Sequence, residues 1–490
     1  MSTDLVLIKP NDKKNIYGTL PDKYTAIDPP YWLALMGGYL RDKGVNVVLI
    51  DAEHKNEDPA ETAKKVADLE PKLVGILPIG SNPTACTWKM HGSGILAKAI
   101  KDVEKGLPIF MWGQHASALP ERTLKEEAID FVVMGEGFDT VLELVNLLRS
   151  GKDSFHEIDG LWYKDGDDIK GNNRAQYIRD LDALPVDGWD LLEDNHYRNH
   201  QHYAFEDLSK RDRYGCIMTS LGCPYQCTYC AINHFSGKKN IRYKSPERAI
   251  EEVDYWVKKH NVYYLRVYDE CFTFNKDHVN RFCDLLIERG YQLSLWIFAR
   301  ADLVDEALLA KMYQAGVRWI GYGFESGSKS IRGLVKKDQY TIDQIKRCVK
   351  ITHDAGISIC SNFMFGLPDD DLETMQDSLD LARDLCCEYP NFYCTMPYPG
   401  SKLYSDCVRD GVELPDSWLG YTQLGYECHP MATKYLTPKE VLAFRDHAFD
   451  AFFENNDAYF ENLRSKFGDE AVALVQGMLG HKLKRRLLGD

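Results

Sequence analysis

Two series of short apolar runs, each run followed by an amphipathic stretch, occupy most of this 490-residue chain. Five such runs lie in the first 150 residues, at positions 5–9, 45–51, 73–78, 108–112 and 130–134. The stretches between them have helical periodicity and are long enough to cross over between parallel strands. Residues 1–150 are therefore predicted to form a doubly wound, Rossmann-like α/β domain, whose ligands bind at the carboxyl ends of the strands.

The second series has six strand–helix units and begins after residue 205. Its apolar runs lie at 215–220, 263–268, 292–299, 318–324, 358–365 and 392–396, and Ser245 and Thr341 stand in helix N-cap positions. Six consecutive units predict a partial (β/α)6, TIM-like barrel over residues 206–400, with its chemistry at the carboxyl ends of the strands. We also predict a connector with a hairpin over 151–205 and a mostly helical C-terminal region over 401–490.

The charge balance and the apolar pattern narrow the possible partners. The net charge is −15, which would repel a nucleic acid backbone. No run of 18 apolar residues occurs, and the start MSTDLVLIKP does not resemble a secretory signal, so we expect no membrane span and a cytoplasmic protein. Fourteen cysteines in such a protein indicate thiols that are buried, catalytic or metal-bound rather than a disulfide framework.

Three of the cysteines, Cys223, Cys227 and Cys230, form a CxxxCxxC triplet directly after the first apolar run of the second series. Soft thiolates are the preferred ligands of iron–sulfur iron, and three of them on one loop can hold a [4Fe-4S] cluster with one iron left open. A zinc site is the alternative, because His234 follows four residues later and could supply the fourth ligand of a closed site. The triplet therefore predicts a metal centre at this strand end.

The triplet resembles the signature of the radical SAM superfamily, in which an aromatic residue, here Tyr229, precedes the last cysteine. In that superfamily the open iron binds the amino and carboxylate groups of S-adenosylmethionine (SAM), and the aromatic residue lies near the adenine. The resemblance implies that the [4Fe-4S] cluster and SAM are cofactors. The residues that it implies for SAM binding are Tyr229, Asp269, Glu270, Arg300, Glu325 and Ser326.

The resemblance also implies a role for each of these strand-end residues. Asp269 and Glu270, after the second strand, would accept hydrogen bonds from the methionine ammonium. Arg300, after the third strand, would bind the methionine carboxylate through its planar guanidinium. Glu325, which Ser326 follows after the fourth strand, would accept hydrogen bonds from the ribose hydroxyls.

The N-terminal α/β domain resembles the cobalamin-binding domain that precedes the barrel in cobalamin-dependent radical SAM enzymes. The matching segments are strand-end loops rich in glycine, which lets the backbone approach a bulky corrin. The residues implied for cobalamin binding are Ser81, Asn82, Gly113, His115, Gly135, Glu136 and Gly137. The loop after the first strand, residues 10–15, contains no histidine, so it offers cobalt no lower ligand and the axial ligation stays open.

The resemblance implies a C-methyltransferase that uses methylcobalamin. In this chemistry the cluster cleaves SAM to a 5′-deoxyadenosyl radical, which abstracts hydrogen from an unactivated carbon, and methylcobalamin then methylates that carbon. The implied partners are a small-molecule or peptide substrate and a low-potential electron donor of the flavodoxin or ferredoxin type. The basic tail, residues 481–486, is typical of a solvated helix end, and a docking patch for such an acidic donor is the alternative.

Three alternatives stay open. Some cobalamin-dependent radical SAM enzymes catalyse a rearrangement or cyclisation without methylation. A methylthiotransferase would carry three further cluster cysteines in the N-terminal domain, whereas the first 150 residues contain only Cys86. A cobalamin- or redox-sensing binding protein would hold the cofactors without cleaving SAM.

Overall fold

A computed structural model describes residues 3–79, 83–193, 196–237, 239–337 and 339–490. It contains a sheet of seven strands followed by a sheet of six parallel strands, which confirms the α/β class and the order of the two units. Within the described ranges, no helix combines the length and the apolar character needed to cross a membrane.

The N-terminal sheet has the strand order β2-β1-β3-β4-β5-β6-β7. Its strands are β1 (Leu5–Lys9), β2 (Val47–Asp51), β3 (Leu73–Ile76), β4 (Ile109–Trp112), β5 (Phe131–Val133), β6 (Leu161–Asp165) and β7 (Asp168–Gly171). The helices of this unit are α1 (Lys13–Tyr17), α2 (Tyr31–Asp42), α3 (Pro59–Asp68), α4 (Met90–Val103), α5 (Gln114–Ala118), α6 (Pro120–Glu126) and α7 (Phe138–Arg149). Strands β1–β5 are parallel, and the chain reverses its direction of growth between β1 and β3, so the carboxyl ends of these two strands form the topological switch point.

The predicted hairpin forms, but it belongs to the N-terminal sheet rather than to a connector. Strand β6 pairs antiparallel with β5, with Trp162 opposite Val132, and β7 pairs antiparallel with β6. This pairing depends on a contact between segments distant in sequence, which local pattern does not encode. The doubly wound unit therefore extends to Gly171, beyond the predicted boundary at residue 150.

The second sheet is the predicted partial barrel, with the sequential order β8-β11-β12-β13-β14-β15. Its strands and the small antiparallel pair β9–β10 are β8 (Tyr214–Ile217), β9 (Ser220–Gly222), β10 (Ile241–Tyr243), β11 (Tyr264–Val267), β12 (Ser294–Ala299), β13 (Val317–Glu325), β14 (Ser358–Phe365) and β15 (Tyr389–Cys394). The helices of this unit are α8 (Ile232–Ser236), α9 (Pro246–His260), α10 (Lys276–Arg289), α11 (Glu306–Gln314), α12 (Lys329–Leu334), α13 (Ile342–Asp354) and α14 (Leu372–Leu385). All neighbouring strands of the barrel are parallel, so their carboxyl ends share one edge.

Side-chain caps explain where two of the barrel helices, α9 and α13, begin. The Ser245 hydroxyl accepts a hydrogen bond from the Arg248 amide at 3.1 Å, and Pro246 occupies the first helical position of α9. Thr341 and Gln344 cap α13 reciprocally, as a capping box does. Both predicted N-caps are thus confirmed.

The C-terminal region is mostly helical, as predicted, with α15 (Lys402–Asp410), α16 (Pro438–Phe453) and α17 (Asp457–Leu479). One residue of its basic tail faces inward. Arg485 is fully buried and donates hydrogen bonds to Asp446 and to the backbone carbonyls of Gln423 and Gly425. This guanidinium anchors the tail to α16, while His481, Lys482, Lys484 and Arg486 are exposed. The use of this exposed basic stretch as a docking patch stays a prediction.

Candidate cofactor site

The cysteine triplet lies on residues 223–230, the cluster loop, which follows β9. None of the three forms a disulfide with a described residue, and all three are partly exposed, whereas ten of the other eleven cysteines are buried. Gly222, just before the loop, has a φ of 95°, and a Cβ there would overlap the Asn240 carbonyl, so only glycine fits. Three accessible thiols on one loop fit a [4Fe-4S] cluster with one open iron.

The position of His234 bears on the zinc alternative. Its Nε2 lies 2.9 Å from the backbone carbonyl of Ser117, in the N-terminal unit, so the ring is engaged at the interface between the units. This contact gives one ring nitrogen of His234 a partner that is not a metal.

Tyr229 connects the cluster loop to the carboxyl end of β13. Its hydroxyl donates a hydrogen bond to Glu325 Oε1 at 2.9 Å, and Lys337 forms an ion pair with the same oxygen. Burial alone would lower the pKa of Lys337, but the Glu325 carboxylate outweighs it and holds this pKa above the ordinary value. Among the described residues nothing donates to Glu325 Oε2, so that oxygen is available to the hydroxyls of a ligand.

Arg300 is likewise tied to the cluster loop. Its guanidinium lies 3.8 Å from the ring centroid of Tyr225, between the first two cysteines, and forms a bidentate pair with Asp302 at 3.0 Å. It also donates to Gln339 at 2.9 Å. Nη1 is buried without a partner, so one donor of this predicted carboxylate ligand stays available.

Two of the predicted SAM residues are hydrogen-bonded inside the protein. Asp269 accepts hydrogen bonds from the backbone amide and hydroxyl of Thr219 and from the Ser220 hydroxyl, so it braces the link between β8 and β9. Ser326 is fully buried, and its hydroxyl is hydrogen-bonded to Ser378 and to the amide of Ser328. Both side chains thus have structural roles, and their assignment to SAM stays a prediction.

Glu270 differs from its neighbour Asp269. One of its oxygens accepts a hydrogen bond from the Gly222 amide at 3.2 Å, and no lysine or arginine of the described residues forms a salt bridge with it. Burial raises the pKa of Glu270 to about 8, with a smaller contribution from the Asp269 charge. A carboxyl without a counter-ion, beside the first residue of the cluster loop, fits an ammonium group of a ligand.

Two glycine-rich loops lie at the carboxyl ends of β4 and β5. Gly113 has a φ of 143°, Gly135 of 66° and Gly137 of 68°, all conformations that favour glycine. The loops are braced by hydrogen bonds from the Trp112 indole to the Gly135 carbonyl and from the Gly135 amide to the Ser117 hydroxyl. Of the other residues predicted for cobalamin, Ser81 and Asn82 lie outside the described residues.

Two neighbouring side chains on this edge carry polar atoms without partners. Both the amide nitrogen and the amide oxygen of Gln114 are buried with no hydrogen bond, and so is Nε2 of His115. His115 Nδ1 lies 3.0 Å from the Thr87 hydroxyl, and burial lowers the pKa of His115 to about 3, so the ring is neutral. Unpaired buried amide groups are costly, and the amide-rich edge of a corrin would satisfy them.

Glu136 has a structural role in addition to the one predicted. It forms a bidentate ion pair with Arg242 of β10, one arm of which measures 2.9 Å, and accepts a hydrogen bond from the Ile178 amide at 3.1 Å. The Glu136 side chain is 2% exposed. This carboxylate joins the two α/β units, and its assignment to cobalamin stays a prediction.

A cavity of about 50 Å³ lies where the switch point of the N-terminal sheet faces the barrel. Lys9 and Trp88 line it from the N-terminal unit, and Tyr268, which follows β11, lines it from the barrel. Lys9 pairs with Glu53 at 2.8 Å; burial alone would raise the pKa of Glu53, but Lys89 and Lys9 lower it to about 2. Aromatic walls and a charged floor thus line the space between the two units at this edge of the N-terminal sheet.

Comparison with protein families assigns both units. Residues 22–145 match the B12 binding domain, and residues 217–382 match the radical SAM superfamily. The chain belongs to the cobalamin-dependent radical SAM enzymes. Its cofactors are therefore cobalamin, a [4Fe-4S] cluster and SAM, and the cluster loop and the glycine-rich loops lie within the matched segments of this radical SAM enzyme.

Related sequences extend along nearly the whole cobalamin-dependent radical SAM enzyme. An uncharacterized methyltransferase of Pyrococcus horikoshii is 26% identical over 455 residues, which cover 92% of this chain and 93% of the relative. An anaerobic magnesium-protoporphyrin IX monomethyl ester cyclase of Rubrivivax gelatinosus is 28% identical over 441 residues, with 89% and 74% covered. The relatives thus include both a methyltransferase and a cyclase.

Two solved structures share the fold of this radical SAM enzyme. The radical SAM methyltransferase TsrM of Kitasatospora setae, with cobalamin and a [4Fe-4S] cluster bound, superposes with a TM-score of 0.70 at 16% identity, covering 93% of this chain and 90% of its own. The cobalamin-dependent radical enzyme OxsB, with aqua-cobalamin and SAM bound, also gives 0.70 at 16% identity, covering 97% and 72%.

Sequence reasoning missed Lys337 and Gln114. Lys337 lies in a short polar segment after α12, without periodicity or motif, and only the fold brings it to Glu325. Gln114 stands between two residues that were singled out, Gly113 and His115, but a glutamine at the start of the short helix α5 has no distinctive pattern. Burial without a hydrogen-bond partner is a property that appears only in three dimensions.

Proposed function

We propose that this radical SAM enzyme transfers a methyl group to an unactivated carbon of a small-molecule or peptide substrate. The observation that carries the proposal is the position of α8, which begins two residues after Cys230. His234 of this helix bonds to the Ser117 carbonyl, and the Phe235 ring packs edge-on against Trp32 at 5.4 Å. The cluster loop is thereby held directly against the strand-end loops of the B12-binding unit.

The chain's own residues bind and orient the cofactors and shield them from solvent. When bound, methylcobalamin supplies the methyl group, and the cluster with SAM supplies the 5′-deoxyadenosyl radical. Cys223, Cys227 and Cys230 would hold the cluster, and Gln114 would donate to the corrin rim. The SAM ligands that the geometry supports are Tyr229, Glu270, Arg300 and Glu325.

We also propose which segment of the chain binds which cofactor. Residues 1–171 hold cobalamin, 206–400 hold the cluster and SAM, and the intervening connector and the helical end support them. A low-potential donor of the flavodoxin or ferredoxin type would reduce the cluster. An oxygen-sensitive cluster needs a reducing compartment, which supports a cytoplasmic location.

The test is anaerobic reconstitution of the full chain with iron, sulfide, hydroxocobalamin and SAM under dithionite. We expect about four irons and one corrin per chain, a reduced-cluster EPR signal that SAM alters, and release of 5′-deoxyadenosine. Cys227→Ser should lose the EPR signal and keep the corrin. Cys386→Ser, which removes the one other partly exposed cysteine of the described chain, should keep both. A protein without corrin absorbance, or an EPR signal that SAM leaves unchanged, would contradict the proposal.

Cyclisation without methylation is the second candidate, because one relative is named a cyclase. The two reactions differ in their products. A methyltransferase forms S-adenosylhomocysteine as well as 5′-deoxyadenosine, in equal amounts, whereas a cyclase forms no S-adenosylhomocysteine. Product analysis with a turned-over substrate therefore separates them.

A further inference from the structure

The inner face of the partial barrel, its lumen, is partly exposed along two strands. Along β15 the side chains alternate between partly exposed and buried, and the carboxyl-terminal half of β14 does the same. The partly exposed set includes Asn362, Met364, Asn391 and Tyr393. Since neighbouring side chains of a strand point to opposite faces and helices cover the outer face, this alternation places the partly exposed set on the inner face of the barrel.

Arg266 of β11 faces this lumen and is buried without a hydrogen-bond acceptor among the described residues. Its side chain is 5% exposed, yet none of its nitrogens forms a hydrogen bond with a described residue, and Nε is fully buried. Its nearest carboxylate oxygen, Asp28 Oδ1, is 4.0 Å away and is itself buried without a hydrogen bond. The pair is thus too long for the charge-assisted hydrogen bonds that arginine and carboxylate normally form.

Other buried arginines of the described chain show how exceptional this is. Each of them donates hydrogen bonds to a carboxylate or to backbone carbonyls; they are Arg211, Arg300, Arg332, Arg445 and Arg485. Arg266 alone among these six has no acceptor. Burying a cation without an acceptor destabilises a fold, so an acceptor that the chain does not supply is the natural explanation.

The surroundings of Arg266 define the kind of acceptor. The guanidinium carbon lies 4.9 Å from the ring centroid of Tyr268 and 5.3 Å from those of Trp296 and Phe298. These rings exclude water and leave the nitrogen fork as the polar surface of the guanidinium. Such a fork matches the two oxygens of a carboxylate, and the rings suit an apolar or aromatic ligand body.

Asn391 is a second polar group in the lumen, and it can accept a hydrogen bond, whereas Arg266 can only donate. The side-chain nitrogen of Asn391 donates to Asn362 Oδ1 at 3.1 Å and to Cys360 Sγ at 3.2 Å, which uses both of its hydrogens. Asn391 Oδ1 receives no hydrogen bond from a described residue. The lumen therefore offers a cation on one wall and a hydrogen-bond acceptor on another.

We propose that Arg266 binds a carboxylate of the substrate, and that the substrate has an apolar body and a donor group for Asn391. The proposal rests on the proposed function, since it assigns the lumen to the substrate. It differs from the predicted role of Arg300, which concerns the methionine carboxylate. Arg266 is a specificity determinant, because a neutral analogue would leave its charge unpaired.

Benzoate, benzamide and phenyl phosphate are the probes, titrated calorimetrically into the anaerobic protein loaded with cobalamin and cluster. We expect benzoate to bind at least tenfold more tightly than benzamide and phenyl phosphate. Arg266→Met should abolish the preference for benzoate, and Arg266→Lys should retain part of it. Equal binding of benzoate and benzamide, no binding of benzoate, or a preference that survives in Arg266→Met would overturn the proposal. This readout needs no turnover, so it can fail while the methyl-transfer assay succeeds.

Two further measurements separate substrate binding from other roles of Arg266. The EPR change on adding SAM should be the same in Arg266→Met as in the unmodified chain; its loss would mean that Arg266 serves SAM. The double variant Asp28→Asn/Arg266→Met should melt at or above the temperature of the unmodified chain, because it removes two buried charges that lack hydrogen bonds. A drop of several degrees would mean that the pair is structural and would overturn the proposal.

Discussion

Glu325 has a φ of 65° at the end of β13, a conformation that side-chain-bearing residues adopt at a cost of about 1–2 kcal/mol. The pairing of β13 with β14 shifts register at the same place, between Gly323 and Glu325. Both irregularities turn the carboxylate out of the regular alternation of the strand and towards Tyr229 and Lys337. The strained backbone at Glu325 thus places a hydrogen-bond acceptor beside the cluster loop.

Lys337→Met tests whether this arrangement serves SAM. Removing the ammonium leaves Glu325 buried without its ion-pair partner, which disturbs the orientation of the carboxylate. We expect the Kd for SAM, measured by EPR titration of the reduced cluster, to rise about tenfold, or about 1.4 kcal/mol. Lys337→Arg, which keeps the positive charge, should raise the Kd for SAM by a smaller factor. An unchanged Kd in Lys337→Met with full iron content would show that the ion pair is only structural.

At the scale of elements, Glu388 ties the C-terminal helix α17 to the barrel. It precedes β15 and accepts hydrogen bonds from Lys466 of α17 at 2.7 Å and from the Ile359 amide at 2.8 Å, while His353 Nε2 lies 3.1 Å away. The Tyr459 hydroxyl of the same helix donates to the Glu388 carbonyl at 3.0 Å. The helical end is thus an integral wall of the barrel.

This contact makes the stability of the chain depend on pH. Burial alone would raise the pKa of Glu388, but His353 and Lys466 outweigh it and lower the pKa to about 2. A folded-state pKa below the ordinary 4.5 stabilises the fold above pH 4.5, and that stabilisation is lost as the pH falls from 4.5 towards 2. Glu388→Gln should therefore lower stability by on the order of 3 kcal/mol at pH 7, with the deficit shrinking below pH 4.5.

Urea unfolding of the cofactor-free chain, followed by circular dichroism from pH 7 to pH 3, measures this deficit. Asp377→Asn, which replaces an exposed carboxylate in the middle of α14, is the matched control and should show no such pH-dependent deficit. A deficit of Glu388→Gln that stays constant down to pH 3 would contradict the assigned ionisation.

Local sequence pattern predicted the elements well and their distant contacts poorly. The apolar runs locate all eleven predicted strands within a few residues, because the strands are mostly buried and therefore rich in apolar residues. The sheet membership of the hairpin depends on β5, and the partner of Glu136 lies in β10, so neither was visible locally. Arg266 did leave a signal, a lone charge in the buried strand Tyr264–Val267, that could have been read as a lumen residue.

At the scale of the whole molecule, the interface between the two units contains a buried ion pair as well as packed aromatic rings. The Glu136–Arg242 pair joins the loop after β5 to β10, and the backbone carbonyl of Ile178 also accepts from Arg242. The pair is nearly buried, with side-chain exposures of 12% for Arg242 and 2% for Glu136. Its position beside the glycine-rich loops means that the relative placement of cobalamin and cluster depends on it.

A double-mutant cycle on this pair tests its role in the interface. Glu136→Gln or Arg242→Met leaves one buried charge without its partner, which costs about 3–5 kcal/mol, whereas the double variant removes both charges and should lose less than either single variant. Melting temperature and corrin content per chain are the readouts, and we expect the single variants to lower both. The exposed pair Glu121–Lys125 is the matched control, because its loss should cost no more than about 0.5 kcal/mol. Losses that simply add in the double variant would mean that the two side chains act independently, and that packing of α8 alone sets the distance between the cofactors.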